Sequence, residues 1–213
     1  MNMDIYNLER FLLSIVYPNR CAVCGEVIHY KLYFCVQCAA QLKENVFEGA
    51  EACYEYDGAI RNLVLDAKYS ANGYAVAMMA KFMYDKIIVG GMSKPDVITF
   101  ITSRKSAVRA RGYCLSRMLA RDISRLSGIP LAQLLNVKDY ETSQKELSVE
   151  QRAQNLKGVF SLVNKVDITD KKVLIIDDIS TTGATLKEAS KLFTENGATT
   201  ECFVFAKTMK KSG

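Results

Sequence analysis

The stretch VLIIDDISTTGATLKEA, Val173 to Ala189, constrains the fold more than any other part of this 213-residue chain. Val173 to Ile176 are four apolar residues with no polar alternation. A strand made of them is buried on both faces, as in a parallel sheet covered by helices. Asp177 and Asp178 then fall at the carboxyl end of the strand, where open parallel sheets bind their ligands. A helical pattern follows from Thr185 to Asn196. Leu186, Ala189, Leu192 and Phe193 share one face of it, and Gly197 supplies the stop signal.

Between strand and helix lies a phosphate-sized cradle. The amides and positive dipole end of a helix start attract phosphate. Gly183 permits close backbone approach, and Ser180, Thr181, Thr182 and Thr185 add hydroxyl donors. No lysine follows the glycine, so this is not a nucleotide-triphosphate loop, and a single phosphate fits better. Two carboxylates beside a monophosphate can accept hydrogen bonds from vicinal hydroxyls, a combination that ribose 5-phosphate offers. The plainer alternative is that Asp178 caps the helix and Asp177 is a solvated strand-end acid. The two acids together, ahead of T-T-G-x-T, weigh against it.

The rest of the chain alternates strand and helix signals, which predicts an α/β domain with a mostly parallel sheet. Asp96 to Ile101 (DVITFI), Leu131 to Leu135, Val159 to Val163, Lys172 to Asp177 and Glu201 to Lys207 read as strands. Tyr54 to about Val89 reads as helical with breaks at Gly58 and Gly73, and its Met78, Met79 and Met83 read as core. A basic loop carries Arg104, Lys105, Arg109 and Arg111, and a further helix runs through to Gly128. A polar stretch from Asn136 to Gly158 holds Gln144, Arg152 and Asn155.

Residues 21 to 38 read CAVCGEVIHYKLYFCVQC, two Cys-x-x-Cys pairs separated by ten residues. Two tight turns of this kind supply four thiolates to one tetrahedral centre, which suits a structural Zn²⁺ held by Cys21, Cys24, Cys35 and Cys38. Redox dithiols fit less well, because two matched pairs are present and no βαβ pattern surrounds them. His29, the only histidine, is read as a surface residue because four sulfurs complete the site. Seven cysteines, an odd number, and a start without an export signal argue against a disulfide framework and for the cytoplasm. Leu8, Phe11, Leu12, Ile15 and Val16 form one face of an amphipathic helix, expected to pack on the rest of the protein. That apolar run is too short to span a membrane. A net charge of +5 permits an anionic ligand without demanding nucleic acid.

VLIIDDISTTGAT resembles the phosphoribosyl pyrophosphate (PRPP) signature of type I phosphoribosyltransferases: four apolar residues, two acids, then T-G-x-T after a short gap. The four-cysteine ribbon, AKY at Ala67 to Tyr69, RARGY at Arg109 to Tyr113 and TSQKELSVEQRAQNLKGVF at Thr142 to Phe160 extend the resemblance to the competence-protein ComF family, over about residues 21 to 206. The implied architecture is a type I phosphoribosyltransferase-like fold, with a mostly parallel sheet flanked by helices and a small N-terminal zinc-ribbon and helical appendage. Residues 1–52 would form an N-terminal helix and ribbon. Residues 53–213 would form the phosphoribosyltransferase-like domain, with 53–93 as its helical lead-in.

The resemblance also implies roles. Asp177 and Asp178 would bind the ribose hydroxyls and act as the catalytic acids. Ser180, Thr181, Thr182, Gly183, Ala184 and Thr185 would hold the 5-phosphate, and Arg104, Lys105, Arg109 and Arg111 would face pyrophosphate. Mg²⁺ would arrive with PRPP. The implied function is PRPP binding in DNA uptake and natural competence, handling incoming single-stranded DNA, with a competence helicase as a partner. Lys31 with Tyr30, Tyr33 and Phe34 offers charge and stacking aromatics for such a strand, or else these aromatics simply pack the ribbon. The alternative is an active phosphoribosyltransferase acting on a nucleobase through an oxocarbenium-like state at ribose C1. The chain departs from the family where P-V-P and R-G-F-N-Q are usual. It has Phe100-Ile101-Thr102 and Arg111-Gly112-Tyr113-Cys114-Leu115, which alters the pyrophosphate side.

Overall fold

The computed structural model describes residues 11–12, 14–30, 32, 34–43, 52–70, 73–89, 94–103, 105–138, 158–163 and 166–209. In chain order the elements are α1 (Val36–Ala39), β1 (Ala52–Glu55), α2 (Gly58–Tyr69), α3 (Gly73–Val89), β2 (Val97–Phe100), α4 (Lys105–Arg111) and α5 (Leu115–Ser127). Then come β3 (Leu135–Val137), β4 (Phe160–Leu162), β5 (Lys172–Ser180), α6 (Ala184–Glu195) and β6 (Thr199–Lys207). A four-stranded sheet runs in the order β1-β6-β5-β2, with every neighbouring pair parallel. Strands β3 and β4 form a separate antiparallel pair.

Strand β5 is central because its sequence allows nothing else. Val173 to Ile176 are all buried, and their side chains divide between two cores. Leu174 and Ile176 join Ile98, Phe100, Phe203 and Phe205 against α2, α3 and α5. Val173 and Ile175 join Val204, Phe193 and the β3–β4 pair against α6. Each large side chain buried this way contributes about 1.5–3 kcal/mol. The helices after β2 and after β5 therefore cover opposite faces, although the two strands are adjacent. A crevice opens between the carboxyl ends of such strands, and this is the place where open α/β sheets hold ligands.

Helix α2 buries Ile60, Leu63, Val64 and Ala67, one face at helical spacing, and Met78, Met79 and Met83 of α3 lie fully in the core. These two helices share the core with α5 and the sheet. Helix α5 buries Leu115, Leu119, Ala120 and Ile123 and stops at Gly128, whose φ of 73° takes the left-handed conformation that closes a helix.

Several expectations are corrected. Residues 54–55 belong to a strand rather than a helix, because β1 pairs with β6 and Tyr54 is buried between Phe82 and Phe205. The basic segment is helix α4 rather than a loop, since alanine and arginine are good helix formers. Of Leu131 to Leu135, only Leu135 enters a regular strand, while Leu131 bridges to Ile98. The N-terminal apolar face does not pack inward: Phe11, Leu12, Ile15 and Val16 are 45%, 55%, 68% and 72% exposed. Phe11 meets Tyr30 edge-on at 5.4 Å, a contact that leaves the face uncovered. Leu8, Arg104 and most of the polar stretch with Gln144, Arg152 and Asn155 lie outside the described residues. None of the described helices is long and apolar enough to cross a membrane.

Candidate functional site

Strand β5 carries Asp177, Asp178 and Ser180 to its carboxyl end, and all three are buried. Asp177 Oδ1 accepts two hydrogen bonds, from Ser116 Oγ at 2.7 Å and from the Asp178 amide at 2.9 Å. Asp178 Oδ1 accepts from the Ile179 amide at 2.9 Å, and its Oδ2 forms an ion pair with Lys68 Nζ at 2.8 Å. Burial pushes the Asp177 carboxyl well above the usual carboxylate range, and the charge of Asp178 adds to the rise, against the lowering effect of Ser116 and the Asp178 amide. Neither acid matches the plainer reading made from the sequence. The N-cap of α6 is Gly183, with no side-chain capping bond, and Asp177 is not solvated.

The cradle follows directly. Gly183 has φ 76°, a conformation that a residue with a Cβ adopts at a cost, and it launches α6 without a side-chain cap of its own. No acidic residue sits in the first turn of α6 to compete with an anion. Ser180 Oγ is buried without a hydrogen-bond partner among the described residues. It lies 4.0 Å from where a Gly183 Cβ would stand, so it faces the turn of the cradle. A buried hydroxyl left unpartnered is costly, and a ligand oxygen would satisfy it. Thr181 and Thr182 are exposed, and Thr182 Oγ1 accepts from the Ala184 amide at 3.4 Å.

Asp177, Asp178, Ser180, Gly183, Ala184 and Thr185 thus come together at one strand end. Arg109 and Arg111 lie on α4, the helix after β2. Arg109 is exposed, and Arg111 is half-buried with its Nε donating to the Ala107 carbonyl. Ser116 and Lys68 contact the acid pair, and reasoning from sequence had assigned neither a role. Lys68 lay within the AKY stretch, which was a signal. Ser116 carried no signal of its own. Tyr113, of the RGY stretch, donates its hydroxyl to the Ala67 carbonyl and so fastens that segment to α2. Cys114 is buried at the start of α5, its sulfur 3.4 Å from Ser103 Oγ.

In the ribbon, one ligand atom from each of Cys21, Cys24, Cys35 and Cys38 lies within 4.8 Å of all the others. Cys24 and Cys35 sulfurs are 3.8 Å apart, which matches the edge of about 3.8 Å expected for a tetrahedron with 2.3 Å Zn–S bonds. The first turn closes through the Gly25 amide on the Cys21 carbonyl, at 2.9 Å, and through the Arg20–Val27 bridge. The second turn opens α1, where the Cys38 amide donates to Cys35 Sγ at 3.4 Å. Burial opposes a Cys21 thiolate, but the amides of Cys24, Cys35 and Val23 outweigh it and bring that thiol down to about 6. Hydrogen bonding by Cys35 and then burial push the Cys38 thiol up. Four cysteine sulfurs this close together suit a structural Zn²⁺, as in the double zinc ribbon domain that the segment matches. His29 is exposed, as expected. Phe34 is buried and stacked 5.8 Å from Phe82, so it packs the ribbon onto α3 and offers no stacking surface. Lys31 and Tyr33 lie outside the described residues.

Comparison with known proteins gives this geometry its context. Residues 107–212 match the phosphoribosyl transferase domain, and residues 12–56 match the double zinc ribbon domain. Competence protein F of Haemophilus influenzae is 28% identical over 183 residues, spanning 83% of this chain and 79% of that protein. The chain is thus similar to competence protein F over most of its length. DNA utilization protein YhgH of Salmonella typhimurium is 23% identical over 210 residues, 91% of this chain and 92% of that protein. Orotate phosphoribosyltransferase of Yarrowia lipolytica is 33% identical over 96 residues, 45% of this chain and 39% of that protein. This chain thus joins a zinc ribbon to a type I phosphoribosyltransferase fold.

Proposed function

We propose that this chain binds PRPP, or a closely related 5-phosphorylated ribose, in the cytoplasm, as part of handling incoming single-stranded DNA during natural competence. One observation carries the ligand assignment. Two buried carboxylates and a buried, unpartnered Ser180 hydroxyl converge at the strand end where α6 begins. The first amides of α6 with Ser180, Thr181, Thr182 and Thr185 would hold the 5-phosphate. Asp177 and Asp178 would accept the ribose 2- and 3-hydroxyls, and Arg104, Lys105, Arg109 and Arg111 would supply positive charge toward pyrophosphate. Mg²⁺ would come with the ligand, carried by pyrophosphate, ribose oxygens and water, and would neutralise pyrophosphate charge. A strand end rich in carboxylate oxygen suits such a hard cation.

The role in DNA handling draws its support from the names competence protein F and DNA utilization protein among the relatives. A helicase partner rests on the resemblance alone. Calorimetric titration of PRPP with Mg²⁺ into the purified protein tests the ligand, with ribose 5-phosphate as control. Micromolar to millimolar binding is expected, and no heat with either ligand would refute the assignment. Affinity for single-stranded DNA that falls with salt tests the second part, and no binding at low salt would refute direct contact.

The likeness to an orotate phosphoribosyltransferase favours a second reading, transfer of the phosphoribosyl group to a nucleobase. Displacement at C1 would be driven by neutralising the leaving pyrophosphate. No histidine serves as base, since His29 stands in the ribbon. Release of pyrophosphate in the presence of one of the common nucleobases would establish this reading.

A further inference from the structure

We propose that Lys68 is a positioning residue of the ribose site, acting through Asp178, and that the end of α2 is therefore a third wall of the ligand crevice. The inference rests on the reading that Asp177 and Asp178 hold the ribose hydroxyls. Two neighbouring carboxylates are buried at the end of β5, and charge on both is disfavoured there unless a cation joins them. Lys68 is that cation: its Nζ lies 2.8 Å from Asp178 Oδ2, and its side chain is only 18% exposed. The Ile179 amide fixes the other oxygen of the same carboxylate. Asp178 is thereby paired on one oxygen and fixed on the other, which sets the plane of its carboxylate. A carboxylate oxygen has more than one acceptor direction, so Oδ2 can still receive a ribose hydroxyl beside the ammonium.

The wall is braced. Ala67, one residue before Lys68, accepts the Tyr113 hydroxyl through its carbonyl. Tyr113 stands at the junction of α4 and α5, and Ser116 of α5 holds Asp177. One turn of α2 is therefore tied both to the acid pair and to the segment that follows β2. The AKY and RGY stretches, far apart in sequence, meet at that turn.

A merely structural lysine and a positioning lysine differ in what they affect. Lys68 acts on the carboxylate that takes the ribose, whereas the 5-phosphate is held by α6 and Ser180. The test uses calorimetry on the full chain with ribose 5-phosphate and with inorganic phosphate. It compares wild type, Lys68→Met, Asp178→Asn and the double variant, with a thermal melt for each. Lys68→Met is expected to weaken ribose 5-phosphate at least tenfold while inorganic phosphate changes less than twofold. In the Asp178→Asn background the same change should add little, because the residue it acts through is already neutral. If Lys68→Met does not fold, Lys68→Gln takes its place. An unchanged affinity for ribose 5-phosphate, an equal loss for both probes, or full additivity with Asp178→Asn would each overturn the proposal. Wild-type protein that takes up inorganic phosphate but shows no gain from the ribose would overturn the ribose reading itself, and this inference with it.

Discussion

Asp177→Asn should make the protein more stable and its ligand site worse. Asp177 is 9% exposed and its hydrogen bonds, from Ser116 Oγ and the Asp178 amide, both fall on Oδ1. An asparagine keeps that oxygen and both bonds, so the substitution removes charge and little else. The carboxyl is raised first by burial and then by Asp178, so ionising it opposes folding. Relieving an uncompensated buried polar group is worth about 1–3 kcal/mol, and a gain of that order is expected at pH 8. For a chain of this size that is a Tm increase of about 2–4 °C per kcal/mol. The pH dependence sets this apart from a packing effect. Between the unfolded carboxyl value of about 3.9 and the raised folded value, the folded protein holds more protons than the unfolded chain. Wild-type stability therefore falls as pH rises through that window, and the asparagine variant lacks the slope. Melts of both proteins from pH 4 to pH 8 should nearly coincide at pH 4 and separate steadily above it. A gain of equal size at pH 4 and pH 8, or a loss at pH 8, would refute the reasoning. Ribose 5-phosphate affinity should fall in the same variant, since its amide group presents a donor to a hydroxyl that needs an acceptor. Stability and binding moving in opposite directions is what a buried acid kept for function rather than for folding should show.

Replacing Asp177 and Asp178 together by Asn is expected to abolish PRPP binding in calorimetry while circular dichroism and the melting transition show a folded protein. Ser180→Ala should be neutral or slightly stabilising without ligand, because its hydroxyl is buried and unpartnered, yet weaken inorganic phosphate about tenfold in the same titration. Cys21→Ser with Cys24→Ser should release zinc, measured by metal analysis of the purified protein, and loosen the ribbon around Phe34. Retention of stoichiometric zinc in that variant would show the ligand set to be different.

What could be read from the sequence was local or strictly patterned. An unbroken apolar run has one place to go, so β5 and its two flanking cores followed from Val173 to Ile176 alone. The cysteines declare their centre by spacing, and the turn at Gly183 by the residues around it. Strand β1 was missed because four residues carry too little periodicity. It is a strand only because β6 lies beside it and Tyr54 finds a slot between Phe82 and Phe205. The apolar pattern from Phe11 to Val16 says nothing about what stands opposite, and that face is exposed rather than packed as expected. The same limit explains the site. Its acids and cradle lie within nine residues of one another in sequence and could be recognised there, from Asp177 to Thr185. Ser116 and Lys68 reach the acids from helices on another face of the chain, across a sequence separation of 61 residues in the case of Ser116. Burying two adjacent carboxylates requires a hydrogen-bond donor and a cation from somewhere, so the need for both was implicit in Asp177 and Asp178. Only the folded arrangement could say which residues meet it. The partners of a buried charged pair are therefore the first place to look for functional residues that motif reading leaves out.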